Sequence, residues 1–182
     1  MVNNGRQLYR SAPIRGMLLE KRYAHGVSHG LTEAGYDIRI KQDITFGRDL
    51  YGKRTVTRVG RDPEGEEMAL IQPGRFVIAS AIEEFDMPPN LLGVVHDKSS
   101  WARKGLSVLN TVIEPGWRGF LTLELVYHGN DVLHISAGSG IAQVLFHKVQ
   151  ELAVYAGRYQ NQEDRPVEAI AANEANAGSA AA

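Results

Sequence analysis

Cysteine is absent from the chain. Its absence excludes disulfides, thiolate nucleophiles and every zinc site built on thiolate ligands. Neither sign of charge dominates: 20 Lys and Arg stand against 21 Asp and Glu, a formal net charge of -1. No global basic field therefore draws the chain to nucleic acid, although a few local cations can still hold a small anion. No run of 18 apolar residues occurs, and the opening MVNNGRQLYRSAP has no apolar signal-peptide core. A cytoplasmic protein without a membrane span is expected. Nucleotide-loop motifs are missing too. SAGSGIA, residues 136–142, has neither the Lys and Thr of a Walker loop nor Rossmann glycine spacing. The six histidines are scattered, and the closest pair, His25 and His29, lacks the Glu of a metalloprotease helix, so no metal site is expected there.

What remains is one domain's length, 182 residues, with an ordinary 43% hydrophobic and 23% charged content. Residues 14–25 (IRGMLLEKRYAH) carry part of a helical stripe in Met17, Leu18 and Leu19, with Gly26 placed to end it, and are read as a short helix. Tyr36, Ile38 and Ile40 then alternate with Asp37 and Arg39 as in a strand, and residues 53–59 form a second strand rich in Thr and Val. RDPEGEE, residues 61–67, is a turn cluster. From Met68 onward short strands follow one another: MALI, RFVIASA, NLLGVVH, LSVLNTVI, GFLTLELVYH, VLHIS and GIAQVLFHKVQ. Turns containing Pro or Gly separate them, a pattern of mainly β barrels or jelly rolls rather than βαβ units. Residues 1–155 are read as the folded body and 156–182 as a tail, whose alanine-rich end is either a frayed helix or disordered.

Three segments hold side chains suited to chemistry. In HDKSSWARKG, residues 96–105, Ser99 and Ser100 lie between Lys98 and Arg103. Such a turn binds an anion through backbone N–H groups and charge-assisted bonds, or is a capped surface turn. In TVIEPGWRGFLTLELVYH, residues 111–128, alternation puts Leu121, Leu123 and Leu125 on a core face and Thr122 and Glu124 on the other. Glu124 then faces solvent or a cleft, and in a cleft desolvation lifts its pKa toward general-base range. Glu114 precedes Pro115-Gly116 and either accepts a bond from a sugar hydroxyl or caps the turn. In the tail, RYQNQ offers Arg158, Tyr159 and Gln162 as a lid over a ligand, or as an unstructured end.

Together these segments resemble the deoxycytidine-triphosphate (dCTP) deaminase family of the dUTPase-like superfamily. KSSWAR, residues 98–103, resembles its phosphate and catalytic motif. EPGWRGFLTLEL at 114–125 resembles its catalytic strand, and GIAQVLFHK at 140–148 the strand that follows. RYQNQ resembles the capping motif KYQxQ with Arg158 for the lysine, and GYDIR at 35–39 an N-terminal signature. The order is the family's, and the matches span most of residues 30–162. Asp97, where the family often has Gly, and NTVIE, where others have a longer histidine-containing run, depart from the pattern.

The resemblance implies a distorted β-barrel or jelly roll of dUTPase type with a short N-terminal helix and a mobile tail, assembled as a homotrimer with sites between subunits. It implies zinc-independent hydrolysis of dCTP to dUTP and ammonia, with magnesium on the triphosphate and dTTP as an inhibitor. Glu124 would transfer protons, assisted by Ser99 and Arg103. Lys98, Ser99, Ser100 and Arg103 would bind phosphate, Glu114 the sugar, Thr122 and Leu123 the base, and Arg158 and Gln162 would close over the phosphates. Cytidine deaminases that hold zinc with His and Cys follow a route closed to a chain without cysteine. The alternatives are a dUTPase or a bifunctional enzyme that also releases pyrophosphate, a nucleotide sensor on the same scaffold, and deamination of dCMP or of a modified dCTP. Ser100-Trp101 and Glu114, where dUTPases have Gly-Leu and Asp, and the TLE run at Glu124 favour the deaminase.

Overall fold

The computed structural model describes residues 1–62 and 65–171. The alanine-rich end lies, apart from its first three residues, outside that range. The elements run β1 (Val2–Asn3), α1 (Gly5–Ser11), β2 (Lys21–Ala24), β3 (Val27–Leu31), β4 (Tyr36–Arg39), β5 (Asp43–Arg48), β6 (Arg54–Arg61), β7 (Glu67–Pro73) and β8 (Phe76–Asp86). They continue with β9 (Leu91–Asp97), α2 (Ser99–Ala102), β10 (Leu106–Val108), β11 (Val112–Ile113), β12 (Arg118–Tyr127), β13 (Leu133–Ile135) and β14 (Gly140–Lys148). No helix among the described residues is long and apolar enough to cross a membrane.

The strands form three antiparallel sheets rather than one hydrogen-bonded barrel among the described residues. One follows the order β11-β9-β14-β4-β3-β2 with β1 added to β14, the second β10-β12-β8, and the third β13-β5-β6-β7. Their inner faces meet in a core that includes Tyr36, Phe46, Phe85 and Phe146, all nearly inaccessible. Full burial of such apolar side chains contributes about 1.5–3 kcal/mol each.

The expected helix over residues 14–25 is corrected. The short N-terminal helix is α1, which buries only Leu8 and ends at Ala12 in the left-handed region, just before Pro13. Residues 21–24 are strand β2 instead. His25 and Gly26 both have positive φ, and Ala24 pairs with Val27 across them. That is the geometry of a two-residue hairpin turn, so Gly26 serves a hairpin rather than a helix C-terminus.

A second correction positions the site. LSVLNTVI is not one strand: Leu106–Val108 pairs with β12, while Val112–Ile113 pairs with β9 in another sheet. The chain crosses between sheets at residues 109–111, tied by Leu109 N–H to the Glu124 carbonyl at 2.9 Å and by Val95 N–H to the Thr111 carbonyl at 3.0 Å. A bulge lies alongside. Phe120 pairs with Glu84 but Thr122 with Ser80, so β8 advances four residues while β12 advances two. The extra residues accentuate the local bend and twist. Crossing and bulge together leave an opening between β12, β8 and β11.

Candidate functional site

That opening is a cavity of about 530 Å³. Its walls are largely apolar, with Ile78, Val112, Ile113, Trp117 and Tyr155 from the body and Tyr159 from the tail. Glu124 and Thr122 reach it from β12, as alternation requires once Leu123 and Leu125 enter the core at 1% and 0% exposure. Leu121 belongs to both environments, because it is buried and lines the cavity beside the bulge. Leu123 does not line it.

Glu124 is half-buried and makes no ion pair among the described residues. Desolvation raises its pKa above the ordinary carboxylate value, and a backbone hydrogen bond opposes the shift. A carboxyl so placed accepts and returns protons near neutral pH more readily than a solvated one. Glu114 is exposed at the mouth, on the turn in which Trp117 N–H donates to its carbonyl at 3.1 Å. Among the described residues no Lys or Arg lines the cavity.

The tail is built onto the EPGWRG turn. Trp117 Nε1 donates to the Tyr159 carbonyl at 2.6 Å, and Arg118 N–H to Gln160 Oε1 at 2.7 Å. Phe120 N–H donates to the Gln162 carbonyl at 3.1 Å, within a parallel bridge between Gly119 and Gln162. Gly119 has φ +125, and a β-carbon there would stand 2.5 Å from the Gln162 nitrogen. Only glycine admits this approach. The Thr122 hydroxyl donates to Gln162 Oε1 at 3.3 Å and accepts from Val167 N–H at 3.1 Å. Arg158 points away along the tail, donating to the Ile170 carbonyl at 2.6 Å.

The structure thus brings Glu114, Thr122, Glu124 and Gln162 together at one cavity, with Tyr155 and Tyr159. It does not bring in Lys98, Ser99, Ser100 or Arg103, none of which lines it. Ser99, Ser100 and Arg103 face solvent around α2. Three side chains hold that turn in place. Trp101 is buried and donates to the Gly140 carbonyl at 2.7 Å, and Asp97 accepts from Val108 N–H at 2.7 Å, which turns its carboxylate toward β10. Lys98 is nearly buried and bonded to the Asp37 carboxylate and, at 2.9 Å, to the Ser28 hydroxyl. Its ammonium is committed inside the protein.

Sequence reasoning missed the partnership of Lys98 with Asp37, which lies 61 positions away, and the role of Gly119 as the seat of the tail. The second had only a faint signal, a glycine opening the strand GFLTLELVYH, where close approach of another backbone is one reason for glycine.

Comparison with known proteins identifies the family. The profile of the dCTP deaminase-like family matches residues 14–149. A dCTP deaminase of Herpetosiphon aurantiacus is 36% identical over 146 residues, spanning 75% of this chain and 79% of the relative. One from Protochlamydia amoebophila is 34% identical over 146 residues, spanning 75% and 77%. Among solved structures, the 2'-deoxycytidine 5'-triphosphate deaminase from Agrobacterium tumefaciens has a similar fold, with TM-score 0.52 and 16% identity over 80% of this chain and 47% of that one. The match of the family profile across both the cavity-bearing strands and the α2 turn, with these relatives, places the chain in the dCTP deaminase family.

Proposed function

We propose that the protein hydrolyses dCTP to dUTP and ammonia, with the cytosine seated in the cavity and Glu124 as the proton-transfer residue. The observation that carries this reading is a half-buried carboxyl without a cationic partner among the described residues, set in apolar walls, with its pKa raised by burial. Water adds at C4 of the base as Glu124 takes its proton. The proton passes to N3. Collapse of the tetrahedral carbon expels the amine, protonated through the same carboxyl, and leaves the C4 carbonyl. One water is consumed and one ammonia released, and Glu124 ends as it began.

In this reading the substrate is the magnesium complex of dCTP, the ion riding on the phosphates. Among the described residues no three His or carboxylate side chains converge to hold it. Glu114 meets the sugar, Thr122 and Gln162 the base side, and Arg158 moves toward the phosphates as the tail closes. Because the cavity lining has no cation among the described residues and α2 presents Ser99, Ser100 and Arg103 outward, these three act at the cavity of a neighbouring copy in a homotrimer. There the Ser99 hydroxyl and Arg103 guanidinium orient the water and stabilise developing charge. Lys98 serves phosphate binding indirectly, by fixing the turn.

The test is incubation with dCTP, dCMP and dUTP in magnesium buffer, following ammonia and pyrophosphate separately. Ammonia released from dCTP, without pyrophosphate, is the expected result. Pyrophosphate from dUTP with no ammonia from dCTP would replace the deaminase by a dUTPase.

A further inference from the structure

The tail is attached to the body in two unequal parts. Residues 158–162 are bonded to the EPGWRG turn, form the bridge to Gly119, and give the Asn161 N–H to the Arg118 carbonyl at 2.9 Å. Residues 163–171 belong to no helix or strand, and none of them is buried. Hydrogen bonds to side chains hold this second part instead. Near its start the Asp164 carboxylate pairs with Lys41, whose backbone N–H donates to the Ser80 carbonyl at 2.9 Å. Val167 N–H donates to the Thr122 hydroxyl at 3.1 Å. Toward its end Ile170 N–H donates to the Tyr159 hydroxyl at 3.2 Å, and the Ile170 carbonyl accepts from Arg158 at 2.6 Å. Between these anchors Val167, Glu168 and Ala169 line the cavity.

The groups engaged in this way are ones that a nucleotide needs. In the proposed reaction Thr122 meets the base and Arg158 the phosphates, and both are bonded here to backbone groups of residues 167–170. Thr122 has one hydroxyl proton, which goes to Gln162 Oε1 at 3.3 Å, and the Val167 N–H takes up a lone pair. These contacts are easily exchanged. A segment held by a few exposed hydrogen bonds, without buried side chains, opens at low free energy, and its N–H and carbonyl groups find water when released.

We propose that residues 164–170 are a self-occluding strap, which the nucleotide displaces while residues 158–162 stay docked. The inference rests on the reading of the cavity as a nucleotide site. It divides the tail into a docked part that serves the reaction and a strap that competes with the substrate for Thr122 and Arg158. Only molecules with the strap released bind nucleotide, so the apparent dissociation constant is the intrinsic one divided by the released fraction.

Hydrogen exchange of the full chain tests this division, with the Glu124→Gln variant holding dCTP without turnover. Addition of dCTP should speed exchange of the Val167 and Ile170 amides by about threefold or more, the scale of one net hydrogen bond, and leave the Asn161 amide protected. Slower exchange at Val167 and Ile170 would mean that these residues close over the nucleotide, and would overturn the proposal. So would exchange there that bound dCTP leaves unchanged. Val167→Pro in the otherwise wild-type chain gives an independent reading, because it removes the N–H given to Thr122. KM for dCTP should fall by about threefold or more, with kcat within about twofold. An equal or higher KM would overturn the strap. Wild-type protein that fails to bind dCTP would remove the nucleotide reading itself, a failure distinct from bound dCTP that leaves the strap in place.

Discussion

Glu124 and Lys98 show how differently two ionisable side chains are held. Glu124 is penalised when charged, because burial raises its folded pKa above the unfolded value. The folded state therefore binds the proton more tightly. The stabilising contribution of the protonated carboxyl is complete below the unfolded pKa and is lost as pH rises through the folded one. Glu124→Gln should accordingly gain stability relative to wild type as pH rises through that window and show no gain below it. Parallel thermal melts across pH check the sign, and a gain that grows toward acid would contradict it. Lys98 is the opposite case, paired with Asp37, which is only 2% exposed. Lys98→Met strands that carboxylate and should cost about 3–5 kcal/mol in urea denaturation, part of which Asp37→Asn in the same chain should restore. A loss under about 0.5 kcal/mol would mean that the pair is not formed. Alternation along β12 put Glu124 on the face opposite Leu123 and Leu125, but it left open whether that face meets solvent or a cleft. Nothing local announced Lys98 and Asp37 as partners, because the contact depends on β4 and β9 both pairing with β14.

At the scale of elements, β6, β8, β9, β12 and β14 were readable because each alternates or carries branched side chains between turn residues. The N-terminal region misled because Met17, Leu18 and Leu19 imitate a helical stripe, whereas Leu19 is 55% exposed and the His25-Gly26 turn sets a hairpin. The break in LSVLNTVI was hidden for another reason: a strand that changes sheets keeps its composition. The tail docks as an element through Gly119. Gly119→Ala should push residues 158–162 off β12, make them more susceptible to protease, and lower deamination as far as truncation before Arg158 does. In the truncated chain the same substitution should add no further loss of activity, which separates displacement of the tail from strain in β12. Normal deamination by the full-length Ala variant would refute a catalytic role for the docked tail.

At the scale of the whole molecule, the division between a cavity without cations among the described residues and an outward-facing α2 turn defines the assembly prediction. If α2 completes the cavity of another copy, Glu124→Gln and Arg103→Ala proteins, each inactive alone, should regain part of the wild-type activity when refolded together. Sedimentation should show a trimer in both. A fully active monomer, or mixtures as inactive as their components, would contradict the shared site. Order of motifs made the family legible in the sequence. The different surroundings of KSSWAR and EPGWRG were not, since the two segments are close in the chain and only the second lines the cavity.

The central claim is that Glu124 moves the protons of dCTP deamination, and single-turnover ammonia release by Glu124→Gln, measured beside dCTP binding, tests it most directly. The account predicts near-normal binding and a fall of roughly 10² or more in the rate of ammonia release, the scale of general acid–base catalysis. Ammonia release at the wild-type rate from the folded, dCTP-bound variant would contradict it.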